Sequence, residues 1–156
     1  MPFDANLVLI DGTVTFTAAT AASYAVATST TRVTATGAAV VDLGTAGSGL
    51  RGLAAVLIIP TLATATDYLT MIIEGSDEEA FGNASYNLHL LAEFDIAAAT
   101  RGRILASECT AGAVVIRRFT TEWRYVRARG TPTAGDSTGT FSTLQVLLSP
   151  YPWQVL

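Results

Sequence analysis

Hydrophobic and polar positions alternate with a period of two along most of this chain, the spacing of strands with one face turned to a core. Leu7-Val8-Leu9-Ile10 runs into Asp11-Gly12, a short strand followed by a pair that supplies the positive φ of a tight turn. Residues 13–17 set Val14 and Phe16 on one side, and Tyr24/Val26 and Val33/Ala35 predict thin strands over 23–28 and 31–36 in an Ala/Thr/Ser-rich region. Residues 53–59 form a continuous apolar run, the pattern of a strand buried on both faces. Residues 68–74 predict the next strand, ended at Gly75. Residues 86–92 alternate so that Tyr86, Leu88 and Leu90 point inward while Asn87 and His89 point outward. Residues 94–103 read as irregular, with an Ala-rich centre that suits a short helix ended by Gly102.

The strongest signal comes late. After a strand over 113–119, residues 120–130 alternate as a second one, with Trp123, Tyr125, Arg127 and Arg129 on one face and Arg124, Val126 and Ala128 on the other. The Thr120-Thr121 joint between them fits a tight hairpin or a bent continuous strand. Residues 130–139, rich in Gly, Pro, Asp and Ser, predict a loop. A closing strand over 140–149 sets Leu144, Val146 and Leu148 toward a core and Thr143 and Gln145 outside. Pro150 and Pro152 then argue against a central strand and for an extended apolar tail carrying Tyr151 and Trp153. Roughly eight short strands between turns, with hardly any helix, predict an all-β antiparallel two-sheet sandwich, for which jelly-roll and immunoglobulin-like topologies both fit. The expected organisation is an N-terminal strand or arm over 1–22, a sandwich over 23–149 and a C-terminal arm over 150–156.

Composition narrows the function. Only 14% of the 156 residues are charged against 50% hydrophobic, with a net charge of −4 and no lysine at all. A surface covered by Ala, Thr and Gly in place of solvating charges fits a chain that lives against neighbours. The lack of a basic excess argues against nucleic acid. Met1-Pro2-Phe3-Asp4 does not read as a signal peptide, and the run ending at Pro60 is too short to span a bilayer. The lone Cys109 precludes an internal disulfide framework or a multi-Cys zinc site.

Candidate chemistry is sparse. The glycine-rich 42–49 lacks the Gly-Lys-Ser/Thr ending of a phosphate loop and reads as a plain connection. Glu74-Gly75-Ser76-Asp77-Glu78-Glu79 lacks calcium-loop spacing and reads as a solvated acidic loop, with docking to an arginine-bearing partner as the second reading. His89, the single histidine, has no nucleophile or second acid-base group placed with it by the sequence, so it reads as a polar residue on an exposed strand face. No enzyme, cofactor or metal site is expected.

The arginines are the exception. Arg117, Arg118, Arg124, Arg127 and Arg129 are five of the nine basic residues and crowd into one ribbon. Guanidinium forks suit carboxylates, so Arg124, Arg127 and Arg129 are expected either as ties within the sheet or as contacts to a partner. Together with Trp123, Tyr125, Tyr151 and Trp153 they are the candidate interface residues, since Tyr, Trp and Arg are favoured anchors.

A resemblance rests on these segments. Val41 to Gly44, the apolar strand Ala54 to Ile59, a strand running into Glu74-Gly75-Ser76-Asp77-Glu78-Glu79-Ala80-Phe81, and Trp123-Arg124-Tyr125-Val126-Arg127-Ala128 before a loop and closing strand resemble the cement or decoration proteins of tailed bacteriophages. The resemblance runs from Val40 to Ser149. It implies a jelly roll, a small homo-oligomer (dimer or trimer), and a place on the outer capsid surface of a virion assembled in a bacterial cytoplasm. It also implies the major capsid protein as partner, with adjacent subunits clamped, while charge and run length leave neither nucleic acid nor membrane as an expected partner. The alternative is a carbohydrate-binding sandwich, which predicts exposed coplanar aromatics such as Trp123, Tyr125 or Trp153, with calcium near Asp77 to Glu79.

Overall fold

The computed structural model describes residues 7–12, 16–17, 40–44, 52–59, 68–79, 81, 88–97, 113–133, 140–141 and 144–150. These hold ten strands: β1 (Val8–Asp11), β2 (Phe16–Thr17), β3 (Val41–Asp42), β4 (Leu53–Ile59), β5 (Tyr68–Ser76), β6 (His89–Ala97), β7 (Ala113–Phe119), β8 (Tyr125–Thr133), β9 (Thr140–Phe141) and β10 (Gln145–Pro150). Two four-stranded antiparallel sheets run in the orders β1-β10-β4-β7 and β3-β8-β5-β6, and β2 pairs with β9 in a small ribbon.

With the ribbon set aside, the pairs are β1 with β10, β3 with β8, β4 with β7 and β5 with β6. First pairs with last, second with next-to-last, and so inward to the β5–β6 pair. That is one long antiparallel hairpin rolled into two sheets, the strand order of a jelly roll. The fold class expected from period-two patterning is therefore observed, and long-range pairing makes the choice that periodicity left open.

One cluster of buried side chains draws on both sheets: Leu9, Ile10, Ala55, Leu57, Ile59, Val146 and Leu148 from the first, and Leu69, Met71, Ile73, Phe94, Ile96, Val126 and Ala128 from the second. Each fully buried Leu, Ile or Phe contributes about 1.5–3 kcal/mol, which is what holds the sheets face to face. β4 is buried on both faces along nearly its whole length, as its unbroken apolar run predicts. Leu9 and Ile10, in the segment expected to be a strand or arm, are fully buried parts of the first sheet.

Several local expectations are corrected. Ile73 pairs with Ala92 and Glu74 with Leu90, so Leu91 is an extra residue that bulges β6. A bulge reverses the alternation: Ala92, Phe94 and Ile96 are buried and Leu90 is 61% exposed, the opposite of the inward orientation read from 86–92. Phe94 continues β6 to Ala97 and starts no irregular segment. The joint at Thr120-Thr121 is neither a hairpin nor a continuous strand, because β7 and β8 belong to different sheets and the chain crosses between them. β8 extends through Pro132, opposite Leu69, so the first residues of the expected loop, 130–133, are strand. The closing strand is divided into β9 and β10, and Pro150 ends β10 opposite Leu53. At a strand terminus the missing N–H removes only the last rung of the ladder, which is why a proline is accepted in a strand that has neighbours on both sides. Residues 23–28 and 31–36 lie outside the described residues.

Candidate functional site

Strand β8 carries the ribbon. Its inward residues Val126 and Ala128 are fully buried, and Tyr125, Arg127 and Arg129 face out from the sheet, as alternation predicts. The arginines are engaged within the chain. Arg127 Nε donates to Glu74 Oε2 at 2.8 Å, and Arg129 Nη2 lies 2.8 Å from Glu74 Oε1, so one carboxylate spreads its two oxygens over two guanidinium groups. The register makes this possible, since Glu74 on β5 lies opposite Arg127 and Ile72 opposite Arg129.

Glu74 is only 4% exposed, which corrects its placement in a solvated acidic loop. A buried carboxylate requires close partners, because its desolvation is offset only by short charge-assisted hydrogen bonds. The acidic character belongs to the turn that follows, where Asp77 and Glu78 are exposed. Ser76, fully buried, accepts the N–H of Glu78 on its Oγ at 3.0 Å, and the N–H of Phe81 donates to the carbonyl of Glu78 at 3.1 Å. This tight return brings Phe81 over the ion pairs: its ring centroid lies 4.3 Å from Arg127 Cζ, and it is 6% exposed. Phe81 takes a φ of 49°, a left-handed conformation that costs a residue with a Cβ about 1–2 kcal/mol.

Arg124 lies just before β8 and serves the opposite edge. Its Nε and Nη2 donate to Asp42 Oδ1 and Oδ2 at 2.9 and 2.8 Å, a two-point clamp onto β3. The N–H of Leu43 donates to the Arg124 carbonyl at 2.8 Å, and Asp42 Oδ1 also accepts the N–H of Gly44 at 2.8 Å. Gly44 has a φ of 83°, so the chain turns away from β3 where a glycine meets no penalty. The hydrogen bond to Asp42 raises the Arg124 pKa above its ordinary value.

Trp123 departs from the alternation. It stacks on His89 with centroids 3.8 Å apart and planes 9° from parallel, and Gly75 lies beneath it. A Cβ at Gly75 would stand 2.9 Å from Trp123 Cδ1 and 3.1 Å from Leu91 Cδ1, so the glycine is what lets these side chains close the end of the core. His89 is thus half-buried against an indole and is not displayed on an exposed strand face, and its Nε2 has no hydrogen-bond partner among the described residues. The Nε of Arg129 is likewise buried without a partner among them. Among the described residues no three His, Cys, Asp or Glu side chains converge to hold a metal ion. Tyr151 and Trp153 lie outside the described residues.

The outward face of the first sheet has another character. Val8 lies opposite Leu147, Leu147 opposite Val56, and Val56 opposite Ile116, an apolar row across all four strands. Exposure rises at the β7 edge, from 2% at Val56 to 41% at Ile116 and 55% at Val114. With Leu90, these are the large hydrophobic side chains displayed to solvent among the described residues. The candidate list from sequence contained none of the three. A signal existed for β7: Ala113-Val114-Val115-Ile116 offers no polar position for a solvated face. The bulge that exposes Leu90 leaves no such mark. No protein family, curated protein or solved structure matches the chain.

Proposed function

We propose that this chain is a structural virion protein that decorates the outside of a tailed-phage capsid and stabilises it by binding neighbouring major capsid subunits. The observation that carries the reading is the apolar outward face of the β1-β10-β4-β7 sheet, which becomes solvent-exposed at Val114 and Ile116. A chain with 14% charged residues has little else to solvate such an edge, and protein contact covers it at a gain of about 25 cal/mol per Å2 of apolar surface. The jelly-roll strand order agrees with the resemblance of the β3, β4, β5 and β8 segments to decoration proteins.

The arginine ribbon has a supporting part in this reading. Arg124, Arg127 and Arg129 hold β3, β5 and β8 together, so a braced sandwich presents its apolar edge to neighbours. Many copies on one shell relax the affinity required of each contact. Sugar binding has less support, because Trp123, an aromatic that such a module would display, has one ring face on His89.

The test is co-sedimentation of the purified chain with expanded empty shells assembled from the major capsid protein encoded in the same genome, beside a panel of immobilised glycans. Saturable binding to shells supports the proposal. Binding to glycans with none to shells overturns it.

A further inference from the structure

A β-sheet edge displays backbone donors and acceptors, and folded proteins protect such edges by shortening, bulging or charging the strand. Among the described residues, three of the four edges of the two four-stranded sheets are protected in one of these ways. β3 has two residues, and β1 has four with a register shift between Val8 and Ile10. β6 is bulged at Leu91 and carries Glu93 and Asp95 on its half-buried outward side. β7 carries charge only toward its C-terminal end, at Arg117 and Arg118, and none over Ala113-Val114-Val115-Ile116. It runs seven residues in unbroken register from Leu53–Phe119 to Ile59–Ala113, without proline or bulge, and its strand partner among the described residues is β4 alone. Val114 and Ile116, on either side of Val115, are 55% and 41% exposed.

We infer that β7 is the docking strand for β7 of a second copy of this chain, paired antiparallel about a two-fold axis through Val115, with Val114 of each copy opposite Ile116 of the other. The sequence of the strand selects a second copy as the occupant. In this register each exposed apolar side chain covers the other kind, the self-complementarity a two-fold contact requires. The charges agree: Arg117 and Arg118 are both at the C-terminal end, so antiparallel pairing carries the like charges of the two copies to opposite ends of the contact. The apolar row Val8-Leu147-Val56-Ile116 then continues across the axis, and two four-stranded sheets become one of eight. Arg117 Nη1 donates to the carbonyl of Ile116 at 3.3 Å, a long, exposed bond that a backbone donor of the second copy replaces without a buried cost.

The closed contact gives a dimer, which goes beyond the shell-binding reading and stands apart from it. Light scattering on the full chain should give twice 16.3 kDa, and Ile116→Lys, at an exposed position, should give the monomer mass with an unchanged β-sheet circular dichroism spectrum. The register is read by cysteine pairing in a Cys109→Ser background with diamide as oxidant. Chains with Val114→Cys mixed with chains carrying Ile116→Cys should yield linked dimers. Either variant alone should link far less, because its thiols sit two residues out of register, beyond the about 7 Å Cα limit of a disulfide. A monomeric or trimeric wild type, a dimer indifferent to Ile116→Lys, or linking by one variant alone that equals the mixture overturns the inference. A dimer that ignores shells leaves it standing and removes the shell reading, and a monomer that binds shells does the reverse.

Discussion

Glu74 Oε2 accepts a hydrogen bond from Arg127 Nε at 2.8 Å across the β5–β8 pair, in a place where the carboxylate is only 4% exposed. Its other oxygen faces Arg129, so one acid is the anchor of two arginines. Removing the shared member strands two cations, whereas removing either arginine leaves the acid one partner. Glu74→Ala should cost about 3 kcal/mol, the low end for a broken buried pair because both arginine side chains keep some solvent. The order of loss should be Glu74→Ala, then Arg127→Ala, then the more exposed Arg129→Ala, read from urea unfolding midpoints.

Phe81 covers this site while holding a φ of 49°. Phe81→Ala loses the ring and keeps the backbone penalty, and should cost about 3 kcal/mol. Phe81→Gly loses the same ring and relieves the penalty. It should be the milder change by about 1 kcal/mol, although glycine is the smaller residue. Thermal unfolding of the two variants side by side makes the comparison.

Gly75 sits under Trp123 and Leu91 with no room for a Cβ. Gly75→Ala should destabilise by about 1–3 kcal/mol, as overpacking of a closed core does. The displaced indole should also leave His89, so Trp fluorescence should change in the folded state. Destabilisation with unchanged fluorescence would show that the backbone, and not the stack, absorbs the methyl.

The Arg124–Asp42 clamp is exposed, and its two-point geometry serves register more than stability. Arg124→Ala should lower the unfolding midpoint slightly, by an amount that shrinks as salt is raised. Because the folded arginine pKa lies above its unfolded value, the contribution from its titration is fully present below the unfolded pKa and is lost only as pH rises through the folded one. Arginine titration should therefore contribute no pH dependence near neutrality, which unfolding midpoints across that range would check.

Much of the fold was legible where the pattern ran undisturbed: β4 follows from its unbroken apolar run, and the core face of β10 and the two faces of β8 beyond Tyr125 follow from period two. The failures share a physical cause, since a residue inserted or a chain redirected changes side without changing composition. Leu91 inserts into β6 and turns Leu90 out, with nothing in 86–92 to announce it. Trp123 falls before β8 begins, so the strand rule that places Tyr125 outward does not govern it. Glu74 looked like the start of an acidic loop because its neighbours in sequence are acidic, whereas its fate is set by Arg127 and Arg129 on another strand. Of the interface candidates, the structure shows Arg124, Arg127 and Arg129 making the ties that were one of their two expected roles, and it brings forward Val114, Ile116 and Leu90 as exposed apolar positions that the candidate list lacked.

A chain that stabilises a capsid by binding neighbouring major capsid subunits, as proposed, should raise the temperature that a shell withstands. Expanded empty shells of the major capsid protein from the same genome, heated with and without saturating amounts of the chain, report on it through the temperature at which they come apart. The disruption temperature should be higher with the chain bound, and identical temperatures with and without it would rule out a stabilising role.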